Sequence, residues 1–382
     1  MVCLCANIHY TTSIHSQERI ARLRNHNYIG VDLFAGAGGL SLGAIMAGVD
    51  VRLAVEKDPQ AAATYSCNHP NTLVLNEDIK SIHSIDIGEM PDNCSTILFG
   101  GPPCQGFSTS NQRTRSKNNP TNWLYKDFLR IARIWKPDWI VIENVRGIFD
   151  TEGGMFRDSI VNEIESMGYL CTSFVLCASH YGVPQNRSRL FIIASLHGDI
   201  VHTPKESSTY PVTVNDAIFD LPRSLEKSYH GFKSYSANPI SQYAQTMRGN
   251  LVECNGHVFT NNAQYVRERY RYIPQGGNWE HIPSHMMTNY TDRSRCHSGI
   301  YRRLDQNAPS VVLGNYRKNM LIHPWEDRGL TVREAARLQS FPDWYVFRGS
   351  IGFQQQQVGN AVPPLLAKSV FMTILQMEEN KK

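Results

Sequence analysis

The chain has 382 residues, enough for one large domain and a smaller one. Hydrophobic residues make up 41% and charged residues 19%, a balance typical of folded globular proteins. No run approaches 18 consecutive apolar residues and the start of the chain lacks a basic secretory signal, so we expect neither a membrane span nor export. The nine cysteines form no C-x-x-C pair and no zinc-type spacing, which fits a reducing cytoplasm and predicts no metal site.

Strand-like and helix-like patterns alternate through the first half of the chain. Residues 28–34 predict a strand, 35–39 a glycine-rich turn, and 40–47 a helix that ends at Gly48. Asp58 followed by Pro59 is typical of a helix start. Later segments predict strands at 51–55, 72–75, 96–99, 139–142, 174–176 and 190–194, and helices at 123–135 and 155–167. The alternation predicts an α/β fold with a Rossmann-like, doubly wound, mostly parallel sheet.

The pattern changes after Ser195. Residues 196–330 are rich in Pro, Asn, Ser, Tyr and Arg with weak periodicity, which indicates a second, smaller domain of irregular or β-rich structure. Thr331 and Glu334 have the spacing of a capping box. An apolar helix follows Pro363, and we expect the segment 331–382 to return to the first domain, 28–195. Residues 1–27 are an N-terminal extension.

The net charge of +4 is unevenly distributed. Residues 241–320 carry ten Lys/Arg against five Asp/Glu, so this segment is +5 and the remainder of the chain is −1. A basic region on a nearly neutral chain predicts an anionic partner such as nucleic acid. A solvated surface without a partner is the alternative, but interleaved tyrosines and a tryptophan favour nucleic acid.

One cysteine lies in a stiff turn directly after a predicted strand. Two prolines precede Cys104, and Gly106 follows it closely. Proline fixes φ and lacks an N–H, whereas glycine lets the backbone approach a ligand. Strand ends are where open α/β sheets bind ligands, so the turn predicts a reactive thiol. The alternative, a buried cysteine packed as a small hydrophobic residue, does not require this turn chemistry.

The glycine-rich turn at residues 35–39 predicts a nucleoside site without phosphates. It lacks both the G-x-G-x-x-G spacing of dinucleotide sites and the Gly-Lys-Ser/Thr of a P-loop. Glu56, at the end of the second strand and 20 residues past Gly36, is placed to bind ribose hydroxyls. Asp78 ends the third strand and can accept a hydrogen bond from an adenine amino group. S-adenosylmethionine fits these features.

Glu143 ends the strand predicted at 139–142, so its carboxylate lies over the same crevice as Cys104. A carboxylate in such a cleft is a candidate catalytic group. The alternative is a glutamate that caps a helix or forms a structural salt bridge.

Six segments in order make the chain resemble the DNA cytosine-5 methyltransferase family, in its bacterial restriction-modification form. These segments are Asp32–Gly39, Gly101–Ser108, Glu143–Val145, Gln185–Arg189, Arg333–Pro342 and Gln357–Pro364. The resemblance does not cover residues 1–27 and is weak over 200–295. It implies that 28–195 is a catalytic and cofactor-binding domain and that 196–330 is a target-recognition domain.

The resemblance implies a covalent mechanism on a cytosine that is flipped out of double-stranded DNA. Cys104 adds to C6 of the base as the nucleophile, so that C5 can attack a methyl sulfonium and become 5-methylcytosine. Glu143 holds N3 and the exocyclic amine, Arg189 contacts O2, and Arg187 supports Arg189.

The same resemblance implies S-adenosylmethionine as cofactor and assigns residues to its pocket. Lys57 stands where the family often has an aromatic residue that stacks on adenine. Asn360 and Ala361 would reach the pocket from the far end of the chain. The full predicted set is Phe34, Gly36, Gly38, Glu56, Lys57, Asp78, Ile79, Pro103, Leu124, Asn360 and Ala361.

Predicted DNA contacts lie in two places. The loop 109–122 carries Arg113, Arg115 and Lys117 without an acid and suits a lid that closes over phosphates, although a basic surface loop is the alternative. Gln105 and Ser108 precede this loop, and Arg267, Arg269 and Arg271 lie in the basic segment.

Two rival functions stay open: an RNA (tRNA) cytosine-5 methyltransferase of the same fold, and a non-catalytic DNA-binding homologue. The chain lacks the Cys-Phe-Thr segment of the tRNA-modifying branch, and it keeps the predicted catalytic set. We expect a cytoplasmic monomer with double-stranded DNA as its partner. A cognate restriction endonuclease is compatible with this, without a stable complex.

Overall fold

The computed structural model of the protein describes residues 28–103, 123–145, 147, 154–207, 210–223, 228–288, 299–314, 316–318 and 320–380. The chain divides into two compact units. The first unit consists of Met1–Leu176, Ser188–Lys205 and Ala367–Lys382, and the second of Cys177–Arg187 and Glu206–Leu366. The part that returns to the first unit therefore begins at Ala367 instead of residue 331, because the intervening helices pack within the second unit.

A mixed seven-stranded sheet organises the first unit. The strands are β1 (Tyr28–Leu33), β2 (Asp50–Val55), β3 (Leu73–Leu75), β4 (Ser95–Gly100), β5 (Trp139–Val145), β6 (Leu170–Cys177) and β7 (Ser188–Ser195). Their order across the sheet is β3-β2-β1-β4-β5-β7-β6. The pairs β1–β2, β1–β4, β2–β3 and β4–β5 are parallel, whereas β5 and β7 are antiparallel. This confirms the predicted doubly wound, mostly parallel sheet.

The strand order reverses between β1 and β4. A reversal of this kind opens a crevice at the carboxyl ends of the strands, where α/β proteins bind their ligands. Leu33 pairs with Gly100 at this point. A Cβ atom on Gly100 would lie 2.0 Å from the carbonyl oxygen of Leu33, so only glycine allows the two strand ends to approach this closely.

The helices vary greatly in length between the two units. They are α1 (Gly39–Ala47), α2 (Pro59–Asn68), α3 (Leu124–Trp135), α4 (Met155–Glu165), α5 (Val214–Ile218), α6 (Gln242–Arg248), α7 (Gln264–Tyr270), α8 (Val332–Leu338), α9 (Ile351–Asn360) and α10 (Pro364–Glu379). Single 3₁₀ turns lie at Ile79–Ser81, Ala178–Tyr181, Trp279–His281 and Ser284–Met286. Asp58 caps α2 and Thr331 and Glu334 form the capping box of α8, both as predicted.

The sheet is buried on both faces. Side chains of α3 and α4, including Phe128, Ile131 and Ile160, pack with Leu98 and Ile140 of the sheet. α10 contributes Phe371, whose ring meets Phe99 edge-on at 5.0 Å between centroids. The carboxylate of Glu378 accepts hydrogen bonds from Ser95 and Trp139 at the amino ends of β4 and β5.

The last two helices are the part of the described chain that is long and apolar enough to span a membrane by length and composition alone. Most of the apolar window in Ile351–Glu379 is buried inside the protein. Core helices of globular proteins pass the same test, so this is weak evidence for a membrane span.

The second unit is irregular. Its only two named strands within the described residues, β8 (Lys233–Ser234) and β9 (Glu253–Cys254), are two residues long and pair antiparallel. The sequence predicted irregular or β-rich structure here, and the structure shows irregular segments with short helices instead of a larger sheet. A small hydrophobic cluster around Tyr270, Ile273, Tyr301 and Ile322 supports the part that contains α7.

Buried ion pairs connect the segments of this unit. Arg337 of α8 has a fully buried guanidinium that binds the carboxylates of Asp220 and Asp343. Arg328 donates two hydrogen bonds to Glu334, at 2.7 and 2.9 Å. The Arg328 guanidinium is the main cause that lowers the pKa of Glu334 to about 2, against the burial that raises it.

Glu334→Gln is expected to destabilise the protein by about 3 kcal/mol at neutral pH, because the buried guanidinium of Arg328 would lose one of its two carboxylate partners and keep only Glu326. The pKa of Glu334 is about 2 in the folded state and 4.5 as the ordinary value, so the ionised carboxylate stabilises the fold fully above pH 4.5. That contribution is lost as the pH falls toward 2. Urea unfolding at several pH values should therefore show a constant difference between wild type and variant above pH 4.5 and a shrinking one below it. A difference independent of pH would contradict the assignment.

Candidate active site

The glycine turn after β1 holds an unusual backbone conformation. Phe34 has φ 60° and Gly36 has φ 56°, both in the left-handed region, and Gly38 has φ 86°. A non-glycine residue in this region costs on the order of 1–3 kcal/mol and is concentrated at functional sites. Phe34 also packs against the sheet core, so the strained residue has a fixed place at the crevice.

Glu56 at the end of β2 bridges two backbone segments. Its Oε2 accepts the N–H of Gly36 at 2.7 Å, and its Oε1 accepts the N–H of Asp58 at 2.7 Å. Burial raises the pKa of Glu56, while these N–H donors oppose that rise. Each carboxylate oxygen can accept a second hydrogen bond, so the oriented carboxylate retains capacity for a ribose diol.

Asp78 and Lys57 lie beside each other where β3 and β2 end. Lys57 Nζ is 2.7 Å from Asp78 Oδ2, and this hydrogen bond is the main cause that lowers the pKa of Asp78. Asn76 donates to the carbonyl oxygens of Glu56 and Lys57, which fixes the two strand ends together. Ile79 is buried in the core next to this pair. The structure thus brings the predicted ribose and adenine residues to one edge of the sheet.

Glu143 and Arg189 form an ion pair on neighbouring antiparallel strands. Arg189 Nε lies 2.8 Å from Glu143 Oε1, and both side chains are nearly buried. Val145 is the register partner of Arg189, which places Arg189 diagonally across from Glu143 on the same face. Burial lowers the pKa of Arg189, and the charge of Glu143 opposes that effect.

The turn that leads to Cys104 packs against this pair. A Cβ atom on Gly101 would lie 2.9 Å from Glu143 Oε2. Asn144 Nδ2 donates to the carbonyl oxygen of Pro102 at 3.0 Å. The described chain reaches Pro103, and Cys104 lies outside the described residues. Gly101 and Asn144 are contacts that the sequence analysis did not assign, although both stand inside its motifs.

Arg187 hydrogen-bonds to the backbone at the junction between α9 and α10. It is buried in the second unit and donates through Nη2 to the carbonyl oxygen of Ala361 at 3.1 Å, with a longer contact to that of Asn360. Arg187 therefore orients the backbone of two predicted cofactor residues. Leu124 begins α3 and packs partly against the core of the first unit.

The predicted DNA contacts fall into three groups: residues outside the described part of the chain, exposed arginines, and one buried arginine. Gln105, Ser108, Arg113, Arg115 and Lys117 lie outside the described residues. Arg267 and Arg271 are exposed in and after α7.

Arg269 corrects the prediction, because its side chain points into the second unit. It is 3% exposed and donates to the carbonyl oxygen of Met286 and to the hydroxyl of Tyr301. Residues two positions apart point to roughly opposite sides of an α-helix, so Arg267 and Arg269 cannot both face solvent on a helix that packs against the unit. Counting charges along the sequence does not show which of them is buried.

A family model described as C-5 cytosine-specific DNA methylase matches residues 28–376. The chain belongs to this family. It is a DNA (cytosine-5)-methyltransferase.

Curated relatives support this membership over nearly the whole chain. The Type II methyltransferase M1.HphI of Haemophilus parahaemolyticus is 36% identical, over 92% of this chain and 87% of its own length. The Type II methyltransferase M.DdeI of Desulfomicrobium norvegicum is 35% identical, over 92% of this chain and 89% of its own length.

Solved structures agree with the fold of this methyltransferase. A prophage-encoded DNA modification methyltransferase from Escherichia coli has a TM-score of 0.74 at 29% identity, covering 92% of this chain and 100% of its own. The Entamoeba histolytica methyltransferase EhMeth has a TM-score of 0.56 at 16% identity, covering 92% of this chain and 99% of its own, which shows the shared fold alone.

Gly101→Ala is expected to reduce methyl transfer to DNA by about 10- to 100-fold, because the new Cβ would displace the Glu143 carboxylate and a displacement near 1 Å can cost that much. Radioactive methyl incorporation into DNA measures this loss. Gly314→Ala is the matched control, since a Cβ there meets no atom within 4 Å. Equal activity of the two variants would show that the Gly101 contact has no catalytic consequence.

Proposed function

We propose that this methyltransferase uses S-adenosylmethionine and acts on a flipped cytosine through a covalent adduct of Cys104. The observation that supports the proposal most is the Glu143–Arg189 pair beside the Gly101–Pro102 turn. It joins an acid and a cation at the point where the backbone leads directly to the cysteine.

The residues of the first unit fit the cofactor. Glu56 is oriented by two backbone N–H groups and retains acceptor capacity for ribose, and Asp78 is a carboxylate at the neighbouring strand end. Phe34, Gly36, Gly38 and Ile79 complete the proposed pocket, with Pro103 and Leu124 as further proposed contacts of the first unit. S-adenosylmethionine, when bound, supplies the activated methyl group.

Cys104 does the covalent chemistry in this proposal. Its thiolate adds to C6 of cytosine, and the electron pair of the C5–C6 bond becomes available at C5. Glu143 holds N3 and the exocyclic amine. When the base enters, the Glu143 carboxylate takes up a proton from solvent and donates it to N3 as the thiolate adds, which leaves the carboxylate ionised beside Arg189. Arg189 donates to O2 of the base. After C5 is methylated it loses its proton to a base, the thiolate of Cys104 leaves C6, and the proton on N3 returns to Glu143, which restores the neutral aromatic ring.

The target base lies inside a duplex, where stacking covers C5 and C6, so the proposal includes base flipping. The second unit would read the neighbouring base pairs, since its surface carries Arg267 and Arg271. Double-stranded DNA in the cytoplasm is the proposed setting. We propose no metal, a monomer, and an independent restriction endonuclease where one is present.

Cys104→Ser is expected to abolish DNA methylation, by at least about 1000-fold, because a hydroxyl is a far weaker nucleophile at neutral pH. Wild-type protein should form a stable covalent complex with duplex DNA that carries 5-fluorocytosine, since fluorine cannot leave C5 as a proton does. Denaturing gel electrophoresis detects the complex. Cys94→Ser is the control and should retain both activities, because Cys94 precedes β4 at the opposite end of that strand from Gly100. Methylation by the Cys104 variant would overturn the nucleophile assignment, and methylation of tRNA in place of DNA would favour the RNA enzyme.

Arg267→Ala and Arg271→Ala are expected to weaken DNA binding, and each phosphate contact removed should reduce the slope of log K against log salt by about 0.9. A base contact would instead relax one position of the recognised sequence. Arg269→Ala should lower thermal stability, because the variant loses buried bonds to Met286 and Tyr301. Fluorescence anisotropy with duplex DNA at several salt concentrations separates these effects. Unchanged DNA affinity in both exposed variants would remove α7 from the proposed DNA-binding surface.

A further inference from the structure

A buried chain of hydrogen bonds lies next to the glycine turn. The hydroxyl of Tyr65 in α2 donates to Ser41 Oγ in α1 at 2.6 Å, and the hydroxyl of Ser41 donates to Asp32 Oδ2 in β1 at 2.6 Å. All three side chains are at most 1% exposed. These hydrogen bonds join three elements around the turn: the strand β1 before it, the helix α1 after it, and the helix α2 that follows in sequence.

His69 makes a second contact to the same turn from α2's C-cap. Its ring packs on Tyr65 at 4.4 Å between centroids and hydrogen-bonds to the backbone of Gly38. Burial lowers the pKa of His69 to about 4, so the ring is neutral at physiological pH. The residue therefore works as a fixed hydrogen-bonding group without a change of charge.

The two ends of α2 reach different parts of the cofactor pocket. Asp58 caps the first turn, and its N–H donates to Glu56. Tyr65, about two turns later, and His69, about three turns later, contact the elements of the glycine turn. Since a helix is rigid over this length, α2 sets the separation between the Glu56 carboxylate and the backbone of Gly38.

We propose that Tyr65 and His69 are positioning residues of the cofactor pocket, which hold the glycine turn in register with Glu56. Tyr65, Ser41, Asp32 and His69 act in this proposal without touching the cofactor. The inference rests on the proposed use of S-adenosylmethionine.

Tyr65→Phe and Tyr169→Phe form a matched pair for the test. Both tyrosines are buried in the first unit, and each donates one 2.6 Å hydrogen bond, in Tyr169 to the carbonyl oxygen of Pro137. Both variants should lose thermal stability to a similar degree. Titration calorimetry with S-adenosylhomocysteine should show about 10-fold weaker binding for Tyr65→Phe alone, with KM for the cofactor raised and kcat nearly unchanged. Equal affinity in the two variants would overturn the inference.

Ser41→Ala and His69→Gln extend the test. Ser41→Ala removes the acceptor of Tyr65 without adding volume and should weaken cofactor binding in the same way. His69→Gln keeps a hydrogen-bonding group and should bind more tightly than His69→Ala, and equal binding of these two would contradict a role for the contact to Gly38. Wild-type protein and Glu56→Gln are run alongside. If wild type itself does not bind the ligand, the proposed cofactor fails; if wild type binds and Tyr65→Phe binds equally, only the positioning role fails.

Discussion

The ion pair between Glu143 and Arg189 depends on the antiparallel pairing of β5 and β7, and the turn after β4 packs against this pair. Two nearly buried charges of opposite sign compensate each other, and removal of either would leave the other without a partner in a poorly solvated place. The fixed Glu143 carboxylate then sets the limit on how close the turn after β4 can come, because Gly101 already approaches its Oε2. The register of β5 and β7 therefore fixes the ion pair, and the ion pair limits the path of the backbone from Gly101 toward Cys104.

In the second unit, the number of basic residues in a sequence segment is larger than the number of positive charges exposed on its surface. Arg269 and Arg303 both belong to the basic segment 241–320, yet both are nearly buried. Arg303 binds carbonyl oxygens of Ile273 and His323 and the carboxylate of Asp327. These guanidiniums hold irregular backbone segments together through hydrogen bonds to carbonyl oxygens and to a carboxylate.

Much of the first unit could be predicted from the sequence because its strands are apolar runs and its turns have strong glycine, proline and capping residues. The residues at which individual strands begin and end were harder to predict. β5 continues to Val145, so Glu143 lies within the strand and not after it, and β6 begins at Leu170 although only 174–176 had the expected pattern. Both strands are extended by pairing with β7 in the sheet, which local pattern does not report.

Within the site, residue types were predictable but their partners were not. The glutamate after β2 and the acid after β3 follow from position in the fold, whereas the Lys57–Asp78 and Tyr65–Ser41 contacts join residues about 20 positions apart. Arg269 was assigned to the surface because its neighbours are basic, and its burial depends on Met286 and Tyr301, which follow much later in the chain.

The division of the chain has a consequence for how such enzymes diversify. The second unit is built from two separate stretches, Cys177–Arg187 and Glu206–Leu366, with Ser188–Lys205 of the first unit between them. A single recombination event can exchange most of that unit, but it leaves the recipient's Arg187 in place. Ala361, whose carbonyl oxygen Arg187 binds, would come from the donor. Inheritance of a new second unit in one piece therefore requires that this arginine and this backbone carbonyl remain compatible between lineages, whatever else in the segment changes.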